Sequence, residues 1–166
     1  KKGGLKVAKE DSQAGSAPQG DANLAGARFD IVNASGKNAL VGGRSYGDGE
    51  VVKTIEAEWD AAAKAYVAAT GSGDLPCGAY KVVESQAPEG YLASDWSKTA
   101  KIRENGEVVD LTGGACKDDV ARGGVQVTKS DSELGKSEAL GGDSHGAPGC
   151  GSTLADIEFT ITNESA

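Results

Sequence analysis

The sequence predicts an all-β fold, and three observations carry that prediction. The first is composition: 25 glycines, aromatics at 5% and no methionine suit short strands joined by many turns better than a helical bundle. The second is patterning, because short stretches of apolar–polar alternation recur along the chain, each bounded by turn residues. The third is an internal repeat, which divides the chain into a complete unit and the opening of another.

The alternating stretches place strands at 4–10, 26–33, 50–55, 65–69, 78–85, 99–104 and 106–112. "ENGE" (104–107) reads as a hairpin turn between the last two. One segment departs from the pattern. "IEAEWDAAAKAYVAA" is rich in alanine, a strong helix former, and predicts a short helix over 58–64.

The repeat is carried by two matched blocks in the same order. "KGGLKVAKEDSQAG" (2–15) aligns with "RGGVQVTKSDSELG" (122–135), which sets Lys9 opposite Lys129. "LAGARFDIVNAS" (24–35) aligns with "LADIEFTITNES" (154–165), and the second copy carries an added Gly-rich segment, "GGDSHGAPGCG". The expected organisation is a complete domain over 1–121 and the first strands of a second, truncated copy over 122–166. Two strands bury no core alone, so the second copy needs further partners. The opening "KKGGLKV" contains no Met and predicts a piece excised from a longer protein.

Charge narrows the partners. A net charge of −8 and the lack of any Lys/Arg-rich run make nucleic acid and anionic membrane poor candidates. No apolar run is long enough to span a bilayer, and no signal peptide precedes the first strand. The cysteines, Cys77, Cys116 and Cys150, are odd in number, so at least one lacks a partner within the chain.

The segment "KVVESQAPEGY" (81–91) raises the chemical question: an apolar strand ends on Glu84, and a carboxylate is costly to bury unless paired or protonated. Three pieces answer it together: "LKVAKED", "LAGARFDIVNASG" and "LPCGAYKVVESQAPEGYL". Their combination resembles the collagen-adhesin B-type (CnaB, SpaA-like) domains of Gram-positive surface proteins and pilins. The resemblance implies an immunoglobulin-like or transthyretin-like β-sandwich. "YKVVESQAPEGY" is similar to the family's E-box, and "ACKDDVARGGVQVTK" is similar to its interdomain linker.

Many such domains form an intramolecular isopeptide bond between a lysine on the first strand and an Asn or Asp on the last, assisted by the E-box glutamate. The resemblance implies Lys9 as the lysine, Glu84 as the assisting acid, and Asp118 as the acceptor, with Asp119 as its alternative. An Asp in "ACKDDVARG" departs from the Asn usual in the family, and the preceding "GGAC" is a weak strand. The chemistry needs a neutral amine and a polarised acceptor carboxyl, and burial in an apolar core is expected to lower the amine pKa. Fixed strand register then supplies a high effective molarity for a single turnover. The alternative for these three residues is an ordinary ion pair or solvated charges. Lys129 lacks the matching glutamate and last strand in this sequence and is expected to stay a free amine.

The remaining candidates are weaker. Cys77 and Cys116 are an expected disulfide pair, with free thiols as the alternative. His145, with Asp143, Ser144 and Cys150, is a single histidine in a Gly-rich loop, short of a zinc ligand set or a supported triad. "GSGDLPCG" lacks the strand–helix context of a phosphate loop, and Trp59 and Trp96 read as packing residues. No metal and no cofactor are expected. The reading is a structural stalk domain of a cell-wall-anchored, extracellular adhesin or pilin-like protein, not an enzyme, whose partners are neighbouring domains of its own chain. The alternative is a binding module for a host matrix protein or glycan; a hydrolase around Ser144 and His145 ranks third.

Overall fold

The computed structural model describes residues 1–130, 132 and 157–164. The chain divides into two units, Lys1–Ala121 and Arg122–Ala166.

The first unit is a sandwich of thirteen strands: β1 (Lys2–Asp11), β2 (Arg28–Asn33), β3 (Ala39–Val41), β4 (Arg44–Tyr46), β5 (Val51–Glu56), β6 (Glu58–Asp60), β7 (Ala65–Ala69), β8 (Leu75–Pro76), β9 (Gly78–Gln86), β10 (Tyr91–Leu92), β11 (Ser97–Ile102), β12 (Val108–Asp110) and β13 (Cys116–Val120). One sheet runs β10-β13-β1-β7-β6, with β8 and β12 also paired to β1; the other runs β11-β9-β2-β5. β3 and β4 form a separate hairpin.

β1 is the spine. It pairs antiparallel with β7 through Lys6–Lys9 and with β8 through Lys2 and Gly3. It pairs parallel with β12 through Gly4–Lys6 and with β13 through Lys9–Asp11. Its first turn of sheet is crowded: a Cβ at Gly3 would lie 2.5 Å from the Glu107 carbonyl, and one at Gly4 would lie 2.5 Å from the Gly71 carbonyl. Glycine is required where the neighbouring backbones approach that closely.

The core fills the space between the sheets. Leu5 and Val7 of β1, Phe29 and Ile31 of β2, Tyr80 and Val82 of β9, and Ala100 and Ile102 of β11 are all buried. Side chains alternate across a strand, so the core face of β1 continues from Leu5 and Val7 to Lys9 and Asp11. The same period carries β9 from Tyr80 and Val82 to Glu84. On β13 it directs Cys116 and Asp118 inward and leaves Lys117 and Asp119 exposed.

Two expectations are corrected here. Residues 58–64 form no helix; they are β6 and the turn that leads into β7. Asp60 Oδ1 accepts the backbone N–H groups of Ala62 and Ala63, and Lys64 takes a left-handed φ of 52°, which closes a hairpin. Trp59 pairs with Tyr66 across that hairpin in an edge-on contact at 5.2 Å, so cross-strand packing outweighs alanine propensity. The "ENGE" turn exists, with Gly106 at φ 81°, but it does not join two paired strands. β11 pairs with β9 in one sheet, while β12 crosses to lie parallel to β1 in the other.

In the second unit, the described residues form no regular element: 122–130 and 157–164 are exposed and outside strands, although they align with β1 and β2. Cys150, His145, Ser144 and Asp143 lie outside the described residues. Lys129 is exposed.

Candidate functional site: a buried lysine between two carboxylates

Lys9 is a charged residue in the heart of an apolar core. Its side chain and that of Glu84 are both 0% exposed, as is that of Asp118. Lys9 Nζ stands 2.7 Å from Asp118 Oδ2 and 3.1 Å from Glu84 Oε1. It also donates to Cys116 Sγ at 3.4 Å.

The strands explain how these groups meet. Lys9 is opposite Cys116 in the parallel β1–β13 ladder, and Asp118 follows on the same face of β13. Glu84 comes from the facing sheet, at the end of β9 opposite Phe29 of β2. A register slip of one residue in β13 would turn Asp118 outward and bring Asp119 in. As folded, Asp119 lies on the exposed side, where the Ser12 hydroxyl donates to its Oδ1. The structure therefore brings Lys9, Glu84 and Asp118 together and leaves Asp119 outside the cluster.

The electrostatics are those of one amine shared by two acids. Burial pulls the Lys9 pKa down, but the close contact with Asp118 and the charge of Glu84 outweigh it, so the net direction is upward. The expectation that desolvation alone would lower the amine is corrected: its acidic neighbours are buried with it. Burial pushes the Cys116 thiol up to about 12, so it is a neutral neighbour. Glu84 Oε1 and Asp118 Oδ2 take no aligned hydrogen bond, even at contact distance from the amine.

Glu84, Cys116 and Asp118 place their ligating atoms within 4.8 Å of one another, a set that would suit a cation. The Lys9 ammonium stands against all three and fills that role. Cys77 takes no part. It is an exposed free thiol whose backbone N–H bonds to Lys1 at the start of β1, while Cys116 is a buried free thiol beside Lys9. The expected Cys77–Cys116 disulfide is corrected on that geometry, since the two sit at opposite ends of one extended strand, far beyond disulfide reach.

Sequence reasoning missed two members of the cluster. Cys116 was legible in principle, being two residues from Asp118 and so on the same strand face. Ser94, whose N–H and hydroxyl lie 3.2 and 3.3 Å from Glu84 Oε2, sits in a loop that carries no periodic signal.

The sequence matches the SpaA prealbumin-like fold domain family over residues 3–115. The chain belongs to that family. Among solved structures, the SpaA-type unit is similar to the TIE protein of Bacillus anthracis, at 26% identity and a TM-score of 0.50, covering 72% of this chain and 17% of that one. It is also similar to the pilus 2b backbone protein of group B streptococcus (21% identity, TM-score 0.47, 72% and 42% covered). A third likeness is to BcpA, the major pilin subunit of Bacillus cereus (22% identity, TM-score 0.45, 72% and 30% covered). In each case the match spans less than half of the larger structure. No curated protein matches the chain. Among the described residues, no helix is long and apolar enough to cross a membrane.

Proposed function

We propose that the first unit is a load-bearing stalk domain of an extracellular surface protein or pilin, closed by an isopeptide bond between Lys9 and Asp118 with Glu84 as the assisting acid. The observation that carries this reading is the fully buried contact of Lys9 Nζ with Asp118 Oδ2 at 2.7 Å and with Glu84 Oε1 at 3.1 Å. Membership of the SpaA prealbumin-like family supports the stalk setting.

The chemistry balances within the site. Lys9 passes a proton to a carboxylate of the cluster, its neutral nitrogen attacks Asp118 Cγ, and the Cγ–O bond breaks to release one water. The product is a neutral amide. Two buried charges disappear in the step, and buried charges are expensive even when paired, so the dry core favours a condensation that water opposes. The approach geometry is preset by the β1–β13 ladder, which removes most of the entropic barrier.

Mechanically, the bond would tie the first strand of the sandwich to the last. Closing the chain from residue 9 to residue 118 stabilises by roughly 4–5 kcal/mol on loop-closure reasoning. Pulling on the ends of this unit would then load a covalent bond rather than sheet hydrogen bonds. The hydrolase reading rests on Ser144 and His145, which lie outside the described residues.

The repeat supports a second element of the proposal: residues 122–166 open a further domain of the same kind, and the neighbouring domains of the chain are the first partners of this one. Intact mass of the reduced chain tests the bond. Loss of one water from the sequence mass, absent in Asp118→Ala, is the expected result; the full sequence mass in the unmutated chain would refute it.

A further inference from the structure

The loop between β10 and β11, residues 93–96, touches both halves of the lysine site. Ser94 donates its backbone N–H at 3.2 Å and its hydroxyl at 3.3 Å to a single oxygen of Glu84, Oε2. The other oxygen, Oε1, faces Lys9 Nζ at 3.1 Å. The same hydroxyl lies 3.5 Å from Cys116 Sγ, on the strand that carries Asp118. Trp96 anchors the loop: its indole N–H donates to the Gly114 carbonyl at 2.9 Å, and its ring packs edge-on against Phe29 at 5.6 Å.

We infer that Ser94 is a positioning residue for the cross-link, holding Glu84 so that its transferable proton sits on Oε1 beside the amine and the acceptor. The inference rests on the isopeptide reading above. A main-chain N–H can only donate, so Oε2 is held as an acceptor and is the poorer place for a proton. A proton on Oε1 lies next to both reacting groups. Once the Lys9 ammonium has passed one proton to the Asp118 carboxylate, Glu84 gives its own to the same departing oxygen and recovers one from the Lys9 nitrogen as the amide forms. The nitrogen–Cγ bond replaces the Cγ–O bond, one water leaves, and Glu84 returns to its starting state. Without the Ser94 hydroxyl the carboxyl keeps only one of its two anchors and can turn either oxygen to the amine.

The loop also lines an open groove of about 240 Å³, together with Lys81 and Glu84.

The test follows bond formation in the full chain, by intact mass after a short pulse of cell-free synthesis. Ser94→Ala is expected to slow water loss by roughly ten- to a hundredfold, the worth of one hydrogen bond to a charged group. Ser94→Thr, which keeps the hydroxyl, is expected to restore most of the rate. Stability is read separately in an Asp118→Ala background, where no bond can form; adding Ser94→Ala there is expected to leave the unfolding midpoint nearly unchanged. An unchanged rate in Ser94→Ala would overturn the inference, as would a Ser94→Thr chain as slow as Ser94→Ala. A slowdown matched by unfolding in the Asp118→Ala background would make Ser94 merely structural. If the unmutated chain never loses water, the isopeptide reading itself fails, and the inference fails with it.

Discussion

Asp118 lies two residues beyond Cys116, the ladder partner of Lys9, and its Oδ2 stands 2.7 Å from Lys9 Nζ with both side chains fully buried. Parallel pairing of the first strand with the last sets this relationship. It depends on register, because the adjacent Asp119 has the same chemistry and the opposite face. Asp119→Ala is therefore expected to leave bond formation intact and to change stability by no more than about 0.5 kcal/mol, as for other exposed positions. Intact mass together with urea unfolding checks both halves.

Asp118→Ala removes the acceptor and leaves Lys9 and Glu84 buried without it. Loss of the bond costs roughly 4–5 kcal/mol on loop-closure grounds, which for a domain of this size lowers the thermal midpoint by about 15 °C or more. Calorimetry of the variant against the unmutated chain reads the shift. A midpoint unchanged between them would show that no covalent closure supports the fold.

Glu84→Gln keeps the shape of the side chain and its acceptor oxygen toward Ser94, but cannot shuttle a proton. The expected result is a folded protein at full sequence mass, with the bond absent or slowed by about a hundredfold or more, the usual worth of general acid–base assistance. A Glu84→Gln chain that loses water at the normal rate would remove Glu84 from the chemistry.

The acid limit of stability is expected to involve Asp11. Burial raises its pKa, but the N–H groups of Gln13 and Ala14, the amide of Gln19 and the hydroxyl of Tyr91 outweigh that and hold it below the ordinary carboxylate range. A depressed carboxyl adds stability that is present above its unfolded pKa and lost as pH falls through the folded value. Unfolding free energy should thus fall below about pH 4, where an unfolded aspartate begins to protonate. Asp11→Asn should flatten that fall. Denaturant titrations at a series of acidic pH values provide the comparison.

The two described thiols should separate cleanly. Cys77 is exposed and is expected to take a maleimide in the native state. Cys116 is buried, with its pKa pushed up to about 12 by that burial, and should label only on unfolding. Peptide mapping of labelled samples distinguishes them from each other and from Cys150.

The strands that bury one face were legible from alternation, because that pattern and the core arise from the same geometry. "LKVAK" gives the inward face of β1 directly, and its continuation predicts that Lys9 shares a side with Leu5 and Val7. "YKVVE" does the same for Glu84 on β9. Tertiary pairing was less legible. The "ENGE" turn gave no sign that β12 would leave β11 for β1, since the turn alone does not select the sheet the next strand joins. The alanines of 61–63 favour a helix locally, but the Trp59–Tyr66 contact and the Asp60 turn bonds belong to a hairpin. Cys77 and Cys116 looked equivalent in sequence and lie at opposite ends of β1. Ser94 was invisible for a plainer reason: loop residues acquire their roles from what the fold brings to them.

The most direct measurement of the central claim is a peptide map with tandem fragmentation of the digested, reduced chain. The expected result is a branched species in which the Lys9 peptide is joined to the Asp118 peptide, one water lighter than their sum, with fragments that place the link on Lys9 and Asp118. Separate Lys9 and Asp118 peptides at full mass, or a link that maps to Asp119, would contradict it.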